Sequence, residues 1–286
     1  MWKNFGIIIL AAIFLSEPAF CAVFEVPVRQ RSHGLANRVC QAGGEELLFT
    51  GGVEKTGMGT SSLILDSQTN QPVENVKITL PKENFTTYTD SNGAFNLSAK
   101  LNSPSILSVE KEGYRPYSIT VDKSVKDKPI VVSIEKSSAD DILVTDGWYH
   151  LGDDSFSPNS ANCSEFHQKA SGSFYTKTFN IPARAMSSKY VLIVGSIIGI
   201  DSLLAQQMGQ NRVKTSYASP PEIFFNGIKI ANIELNGDGQ RFALPPNLVR
   251  KGMENEITIK TGKNMSQTSR IDYDDIEFMN LSIISE

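Results

Sequence analysis

The sequence predicts an all-β protein made of two β-sandwich domains. Short runs in which apolar and polar residues alternate lie on both sides of a polar segment at residues 136–141, and this period of two is typical of half-buried strands. Gly, Pro, Asn and Asp residues separate the runs as turns would. The length of 286 residues suits about two domains, and no window of residues 57–136 shows a convincing helical period.

Composition narrows the classes of function. The chain is 40% hydrophobic and 20% charged, which fits folded domains and argues against general disorder. The formal net charge is −4 and no basic stripe stands out along the sequence. We therefore expect no nucleic-acid partner.

Residues 1–21 predict a signal peptide. Lys3 precedes an apolar run from Phe5 to Leu15, and Ala19 lies three residues before a cleavage point after Cys21. The run is too short for a membrane-spanning helix, which needs about 20 apolar residues. We expect an extracytoplasmic mature chain without a transmembrane span. Lipidation of Cys21 and an uncleaved hydrophobic N-terminus are the alternatives.

Signal cleavage would leave two cysteines, Cys40 and Cys163. An oxidising compartment permits a disulfide between them, which would tie an N-terminal arm or linker at residues 22–56 to the second domain. The alternative, two free or separately buried thiols, is equally open, because spacing in the sequence does not give a distance in space. Two cysteines alone cannot form a tetrahedral zinc site.

Residues 57–136 hold about seven strand-like runs, as expected of a small β-sandwich. Their distinctive motifs are Gln71-Pro72-Val73, Thr89-Asp90-Ser91-Asn92-Gly93-Ala94-Phe95 and Gly113-Tyr114. Together these motifs resemble the carboxypeptidase regulatory-like domain, a transthyretin-like sandwich. The resemblance implies a non-catalytic structural or adhesive module and does not imply peptidase activity.

A second series of strand-like runs fills residues 137–286. It ends in a strand where Ile276 and Phe278 alternate with Glu277, which predicts one apolar face and one face in water. A β-bulge is expected near Met279-Asn280, since it would return the later apolar residues to the inner face.

Motifs in this second series resemble the galactose-binding-like jelly roll found in many carbohydrate-binding modules. In order they are the strand Tyr175–Pro182, the hairpin Phe225-Asn226-Gly227, Leu244-Pro245, Glu254–Ile259 and Asp274–Phe278. The segment 202–221 is an insertion relative to this pattern, and a short helix is expected near its start. The resemblance implies recognition of a glycan or another extracellular polymer through loops at one end.

Carboxylates near the last strand are candidate calcium ligands. Calcium favours six to eight oxygen ligands, and jelly rolls of the kind resembled often hold a structural calcium ion. The candidates are Asp153, Asp154, Asp272, Asp274 and Asp275. A solvated acidic turn with salt bridges is the alternative, because Asp274 and Asp275 would point to opposite faces of a strand.

Aromatic side chains are the candidates for sugar binding, since a ring can stack on the apolar face of a sugar beside polar groups. They are Trp148, Tyr149, Phe156 and Tyr217. Trp148 lies inside a strand-like run, so packing in the core is its alternative role. Tyr217 lies in the inserted segment and is expected to be exposed.

No catalytic arrangement is recognisable, so we expect no enzymatic activity. His150 and His167 lack the G-x-S-x-G elbow of a hydrolase, and no pair of carboxylates identifies a glycosidase. The expected function is a secreted or surface binding protein for carbohydrate or another extracellular polymer. The rivals are a structural or adhesive envelope component that engages a surface protein, with Val23–Val28 as a donor strand, and a hydrolase with an unrecognised site.

Overall fold

The structure is a computed structural model that describes residues 61–102, 104–126, 128–153, 166, 168–210, 217–266 and 269–286. The predicted signal peptide and the arm at 22–56 lie outside these residues, as do Cys40, Cys163, Asp154, Phe156 and His167. Nearly all regular structure in the described part is β-strand, and the fold class is all-β as predicted.

The first sandwich consists of seven strands in two sheets, which confirms the predicted strand number. The sheets have the orders β4-β1-β7 and β3-β2-β5-β6, and all pairs are antiparallel except β1 with β7. Apolar side chains such as Ile64, Leu107 and Val132 fill the space between them. The strands are β1 (Ser62–Asp66), β2 (Lys77–Leu80), β3 (Phe85–Tyr88), β4 (Ala94–Phe95), β5 (Ser105–Glu110), β6 (Tyr117–Val121) and β7 (Val131–Ile134).

The Thr-Asp-x-x-Gly-x-Phe motif shapes the turn before β4. Thr89 Oγ1 donates to the carbonyl of Val73 at 2.7 Å and accepts from the Val76 amide at 2.9 Å. Asp90 Oδ1 accepts from two backbone amides of the turn. Gly93 has a φ of +68°, and a Cβ there would lie 2.5 Å from the Ile64 carbonyl oxygen, so only glycine fits. The motif therefore has a structural role.

Asp66 at the end of β1 connects this strand to the Gly113-Tyr114 motif. Its carboxylate accepts hydrogen bonds from the backbone amides of Gln68 and Thr69, from the Thr69 hydroxyl and, at 3.0 Å, from the Tyr114 hydroxyl. Because the bond from the Thr69 amide and the others favour the ionised form, the pKa of Asp66 is lowered to about 2. Tyr114 of the Gly-Tyr pair is thus held against the turn that follows β1.

The second sandwich has two four-stranded sheets with the orders β13-β10-β15-β8 and β12-β11-β14-β9. Residues such as Phe225, Ile257 and Phe278 form the core between them. Asn226 and Gly227 both have positive φ in the β11–β12 turn, which confirms the predicted type I′ hairpin. The elements are β8 (Ile142–Leu151), β9 (Phe174–Asn180), β10 (Tyr190–Ile198), α1 (Leu203–Gln207), β11 (Glu222–Phe225), β12 (Ile228–Asn232), β13 (Gly237–Leu244), β14 (Glu254–Lys260) and β15 (Ile276–Ser285).

Strand β15 is buried on both faces. The predicted bulge is present: pairing with β8 shifts between Met279 and Leu281, and Asn280 between them has a φ of +59°. The predicted solvent-facing side of this strand is wrong, because Glu277 is only 1% exposed. Met279 on that side packs with Ile106 of the first sandwich.

The two sandwiches belong to one compact unit and meet through β5 and β6 of the first and β10, β13 and β15 of the second. Asp238 accepts hydrogen bonds from the Thr120 amide at 3.0 Å, the Thr120 hydroxyl at 2.8 Å and the Ser196 hydroxyl at 2.7 Å. A Cβ on Gly195 would lie 2.5 Å from Ser118 Oγ and 2.7 Å from Asn280 Cβ. The close approach of the sheets therefore requires glycine at this position.

Replacing Asp66 with Asn should lower stability in a pH-dependent way. The folded pKa of about 2 lies below the ordinary value of 3.8, so the charged form contributes stability that is fully present above about pH 4 and is lost as the pH falls through about 2. The difference in Tm between wild type and D66N should be largest above pH 4 and shrink towards pH 2. The exposed carboxylate Glu74 provides the control variant E74Q; a pH-independent difference for D66N would contradict this account.

Replacing Gly195 with Ala should push the sandwiches apart. Overpacking of this kind costs about 1–3 kcal/mol, and calorimetry of the full chain should show a lower Tm or a split into two transitions. Adding Ser118→Ala removes the nearest clashing atom and should restore part of the loss. A G195A protein as stable as wild type would show that the sheets do not meet as described.

Candidate functional site

Segments from two distant parts of the sequence meet at one end of the second sandwich. Isolated bridges join Ser202 to Ala218, Ala218 to Asn264 and Lys263 to Tyr273. Backbone hydrogen bonds of 2.8–2.9 Å extend these contacts, including one from the Met265 amide to the Tyr217 carbonyl. We call residues 201–210, 217–219, 261–266 and 269–275 the loop platform.

Buried polar groups fix the platform from below. Asp274 Oδ2 accepts from the Asp201 amide at 3.1 Å, and the Thr261 hydroxyl donates to the Asp274 carbonyl at 2.5 Å. Burial and the neighbouring Asp201 carboxylate raise the pKa of Asp274 well above its usual range. A Cβ on Gly262 would lie 1.7 Å from the Ser219 carbonyl oxygen. Little room therefore remains for the loops to shift.

Helix α1 is fixed to the platform by its N-cap. The Ser202 hydroxyl accepts from the Ala205 amide at 3.0 Å and donates to the Glu234 carbonyl, which is a usual capping arrangement. Ala205 faces inward and is fully buried, whereas Leu204 and Met208 are exposed. The predicted short helix is therefore present, with apolar side chains directed to solvent.

Exposed apolar side chains are concentrated on this platform. Of the twelve large hydrophobic side chains that are exposed in the described parts of the chain, six lie here: Leu203, Leu204, Met208, Tyr217, Met265 and Ile271. Tyr217 is 37% exposed, as predicted from its place in the inserted segment. Surfaces with such a concentration are typical of binding sites.

The structure does not bring the predicted aromatic residues together. The Tyr149 ring packs inside the second sandwich, with its centroid 4.3 Å from that of Tyr175 and 5.4 Å from that of Phe278. Trp148 packs against Ile106 at the boundary between the sandwiches. These contacts describe the packing role that was the alternative for Trp148. Tyr217 is the one described candidate that lies on the platform.

The described candidate calcium ligands each have a protein partner. Asp153 Oδ1 accepts from the Tyr273 amide at 3.0 Å, and Asp272 Oδ2 accepts from the Asn264 side chain at 2.8 Å. Asp275 Oδ1 lies 2.9 Å from His150 Nε2. Asp272, Asp274 and Asp275 are all buried, so the alternative of a solvated acidic turn is wrong.

Within the described residues, no group of three or more His, Cys, Asp or Glu side chains could hold a metal ion. The arrangement therefore does not fit a calcium site by itself. Asp154, the remaining candidate ligand, lies outside those residues. The calcium site stays a prediction.

His150 has a structural environment that the sequence did not indicate. Its Nδ1 lies 2.6 Å from the Gln168 carbonyl, its Nε2 contacts Asp275, and its ring packs on Phe166 at 4.4 Å. Burial opposes protonation, but the hydrogen bonds to Asp275 and Gln168 outweigh it and raise the pKa of His150. Both ring nitrogens are thus engaged in connecting β8, β15 and the segment before β9.

A polar cleft lies at the β11–β12 hairpin. Asn255 at its base is buried and bonds to the Arg250 backbone and the Asn226 side chain, which accounts for its amide as a structural group. None of the described residues that line the cleft is aromatic, so these residues offer no stacking surface for a sugar. Its lining residues are Thr178, Asn226, Gly227, Arg250, Glu254, Asn255 and Glu256.

Comparison with known proteins supports the first sandwich. A family model described as the CarboxypepD_reg-like domain matches residues 62–144, which confirms the resemblance for this domain. No curated protein matches the chain. Among the helices of the described residues, none is long and apolar enough to cross a membrane.

Two solved structures show distant similarity. One is the β-D-glucuronidase of Dictyoglomus thermophilum, with 15% identity and a TM-score of 0.26, covering 53% of this chain and 29% of the glucuronidase. The other is a candidate carbohydrate-binding protein of Bacteroides uniformis, with 11% identity and a TM-score of 0.18, covering 79% of this chain and 97% of that one. At these scores neither similarity carries an argument about function.

Melting curves with calcium and with a chelator test the metal prediction. An ion that binds the native state raises the Tm, so calcium should raise the Tm of the wild type. Asp274→Asn removes one of the candidate ligands and should abolish that rise. Identical wild-type curves in calcium and in chelator would remove calcium from the account.

Proposed function

We propose that the protein is an extracytoplasmic, non-catalytic binding protein whose C-terminal sandwich recognises carbohydrate or another extracellular polymer. In this proposal the second sandwich is a galactose-binding-like jelly roll. Its two facing four-stranded sheets and its Asn-Gly hairpin support that assignment. The first sandwich, with its family motifs used for turns and packing, serves as a scaffold.

The observation that carries the proposal is the exposed Tyr217 ring on the loop platform. The backbone around it is held on both sides: the Ala218 amide donates to Asp201 and the Tyr217 carbonyl accepts from Met265. Because the backbone at Tyr217 is held, less conformational freedom is lost when a sugar stacks on the ring. Amide and hydroxyl groups of Asn264 and Ser219 belong to the same ladder and provide polar groups of the kind that bind sugar hydroxyls.

The environment of the buried acids and of His150 supports a role without catalysis. A general base must reach the substrate with a free nitrogen or oxygen. Both nitrogens of His150 contact protein atoms, and Asp274 is buried beneath the platform. These groups stabilise the loops in the proposed function and do not act on a ligand.

The aliphatic side chains on helix α1 favour one alternative function. Leu204 and Met208 are exposed side by side, four residues apart on the helix, and apolar side chains of this kind suit a protein partner better than a sugar. In the alternative, the protein is a structural or adhesive component of an envelope assembly. The two functions use different residues of the same platform, so variants can separate them.

Binding of the full chain to an array of plant, microbial and host polysaccharides tests the proposal. Affinity for one sugar is expected to be weak, so multivalent polysaccharides are the suitable probes. Tyr217→Ala should weaken binding about two- to twelvefold, because a ring contact contributes about 0.5–1.5 kcal/mol. Tyr88→Ala is the matched control, since Tyr88 is exposed on β3 of the first sandwich.

Absence of binding across the array would contradict the carbohydrate proposal. A Leu204→Ser, Met208→Ser double variant then distinguishes the alternative. If this variant loses a surface-protein partner that Tyr217→Ala retains, the platform is a protein-binding surface.

A further inference from the structure

The loops of the platform carry positive charge without exposed carboxylates. From Ser202 to Pro221, and again from Thr261 to Ile271, the sequence contains no Asp or Glu. Lys263 and Arg270 lie in the second of these stretches and are exposed. The chain as a whole has a net charge of −4, so this absence of acids is a local feature of the platform.

Among the residues that the structure describes, neither cation forms a salt bridge. Among the described residues, the salt bridges of the protein involve Lys77, Arg115, Lys136, His150, Lys229 and Arg241. Lys263 and Arg270 are in none of them. The platform acids Asp272 and Asp274 are buried and accept hydrogen bonds from Asn264 and the Asp201 amide. The exposed carboxylate of Asp153 adjoins the platform and accepts from the Tyr273 amide at 3.0 Å.

Lys263 is positioned by an aromatic ring. Its Nζ lies 5.8 Å from the centroid of the Tyr273 ring, within the range of a cation–π contact. The Lys263 amide also donates to Ser219 Oγ at 3.0 Å. The backbone of Ser219 in turn adjoins Ala218 and Tyr217. The ammonium group and the exposed Tyr217 ring are therefore held on two neighbouring strands of the ladder.

From this arrangement we infer that the platform binds an anionic polysaccharide, one whose sugars carry carboxylate or sulfate groups. The inference rests on the proposed function and names its ligand class. The Tyr217 ring would stack on a sugar face, while Lys263 and Arg270 would contact acidic substituents. Two exposed cations in a protein of net negative charge are few for a nucleic acid, and a flat acidic protein surface would not use the Tyr217 ring as a stacking group.

The inference is tested with three immobilised polysaccharides and the full-length chain. Dextran and dextran sulfate share one backbone and differ in charge, and polygalacturonate supplies carboxylates in place of sulfates. Binding should favour both anionic polymers over dextran. It should also weaken as ionic strength rises from about 0.01 M to about 1 M, because salt screens exposed charges.

A double variant, Lys263→Ala with Arg270→Ala, should weaken binding to the anionic polymers about tenfold at low salt, since each exposed ion contact contributes modestly. Arg184→Ala with Lys189→Ala is the matched control. Both side chains are exposed and carry the same charge as the platform pair. They precede β10, whereas the platform follows it, so the length of this strand, about 26 Å, lies between the two pairs. The control should bind as the wild type does.

Five results would overturn the inference. Equal binding to dextran and dextran sulfate, or equal losses in the two double variants, would show that the platform cations do not select the ligand. Tighter binding to single-stranded DNA than to either anionic polysaccharide would assign the cations to another polyanion. If neutral glycans bind through Tyr217 while anionic polymers do not, the charge inference is wrong and the proposed function stands; if no polysaccharide binds, both are wrong.

Discussion

The fold depends on the burial of strand β15 on both of its faces. One face contributes Phe278, Leu281 and Ile283 to the core of the second sandwich, and the other packs Met279 towards the first sandwich. The bulge at Asn280 shifts the alternation of side chains along the strand. Leu281 and Ile283 therefore lie on the same core face as Phe278. Gly195 on the neighbouring strand allows the two sheets to approach. The two sandwiches are thus connected by a shared buried strand as well as by a linker.

This arrangement explains how a scaffold can carry rigid loops. The family motifs of the first sandwich are used internally: Thr89 and Asp90 shape a turn, and Tyr114 bonds to Asp66. The second sandwich uses its buried acids in the same way, with Asp274 and Asp275 holding the platform and the segment around His150. Binding residues on loops are effective when the elements beneath them are fixed. In the proposed function, the loop platform, with Tyr217 and Lys263 exposed, binds the ligand.

Much of the fold could be predicted from the sequence because the relevant signals are local. Alternation of apolar residues gave the strands, Asn226-Gly227 gave the hairpin, and the change of alternation at Met279-Asn280 gave the bulge. The burial of Glu277 could not be predicted, because it depends on a first sandwich that covers it from far away in the chain. The position of Trp148 could not be predicted for the same reason, because it packs against a cluster that includes Ile106 of the first sandwich. The hydrogen-bond partners of the buried acids could not be predicted either, since His150 and Asp275 are 125 residues apart in the sequence. Tyr217 was the exception, because an insertion between strands usually lies at the surface.

Amide hydrogen exchange of the full chain tests the central claim most directly. If β15 is the shared centre of both sandwiches, its amides from Glu277 to Ser282 should open only with global unfolding and exchange among the slowest in the protein. The edge strand β12 should exchange much faster. Exchange of β15 at the rate of β12, or protection of β15 that is unchanged when the Gly195→Ala variant separates the sheets, would contradict the account.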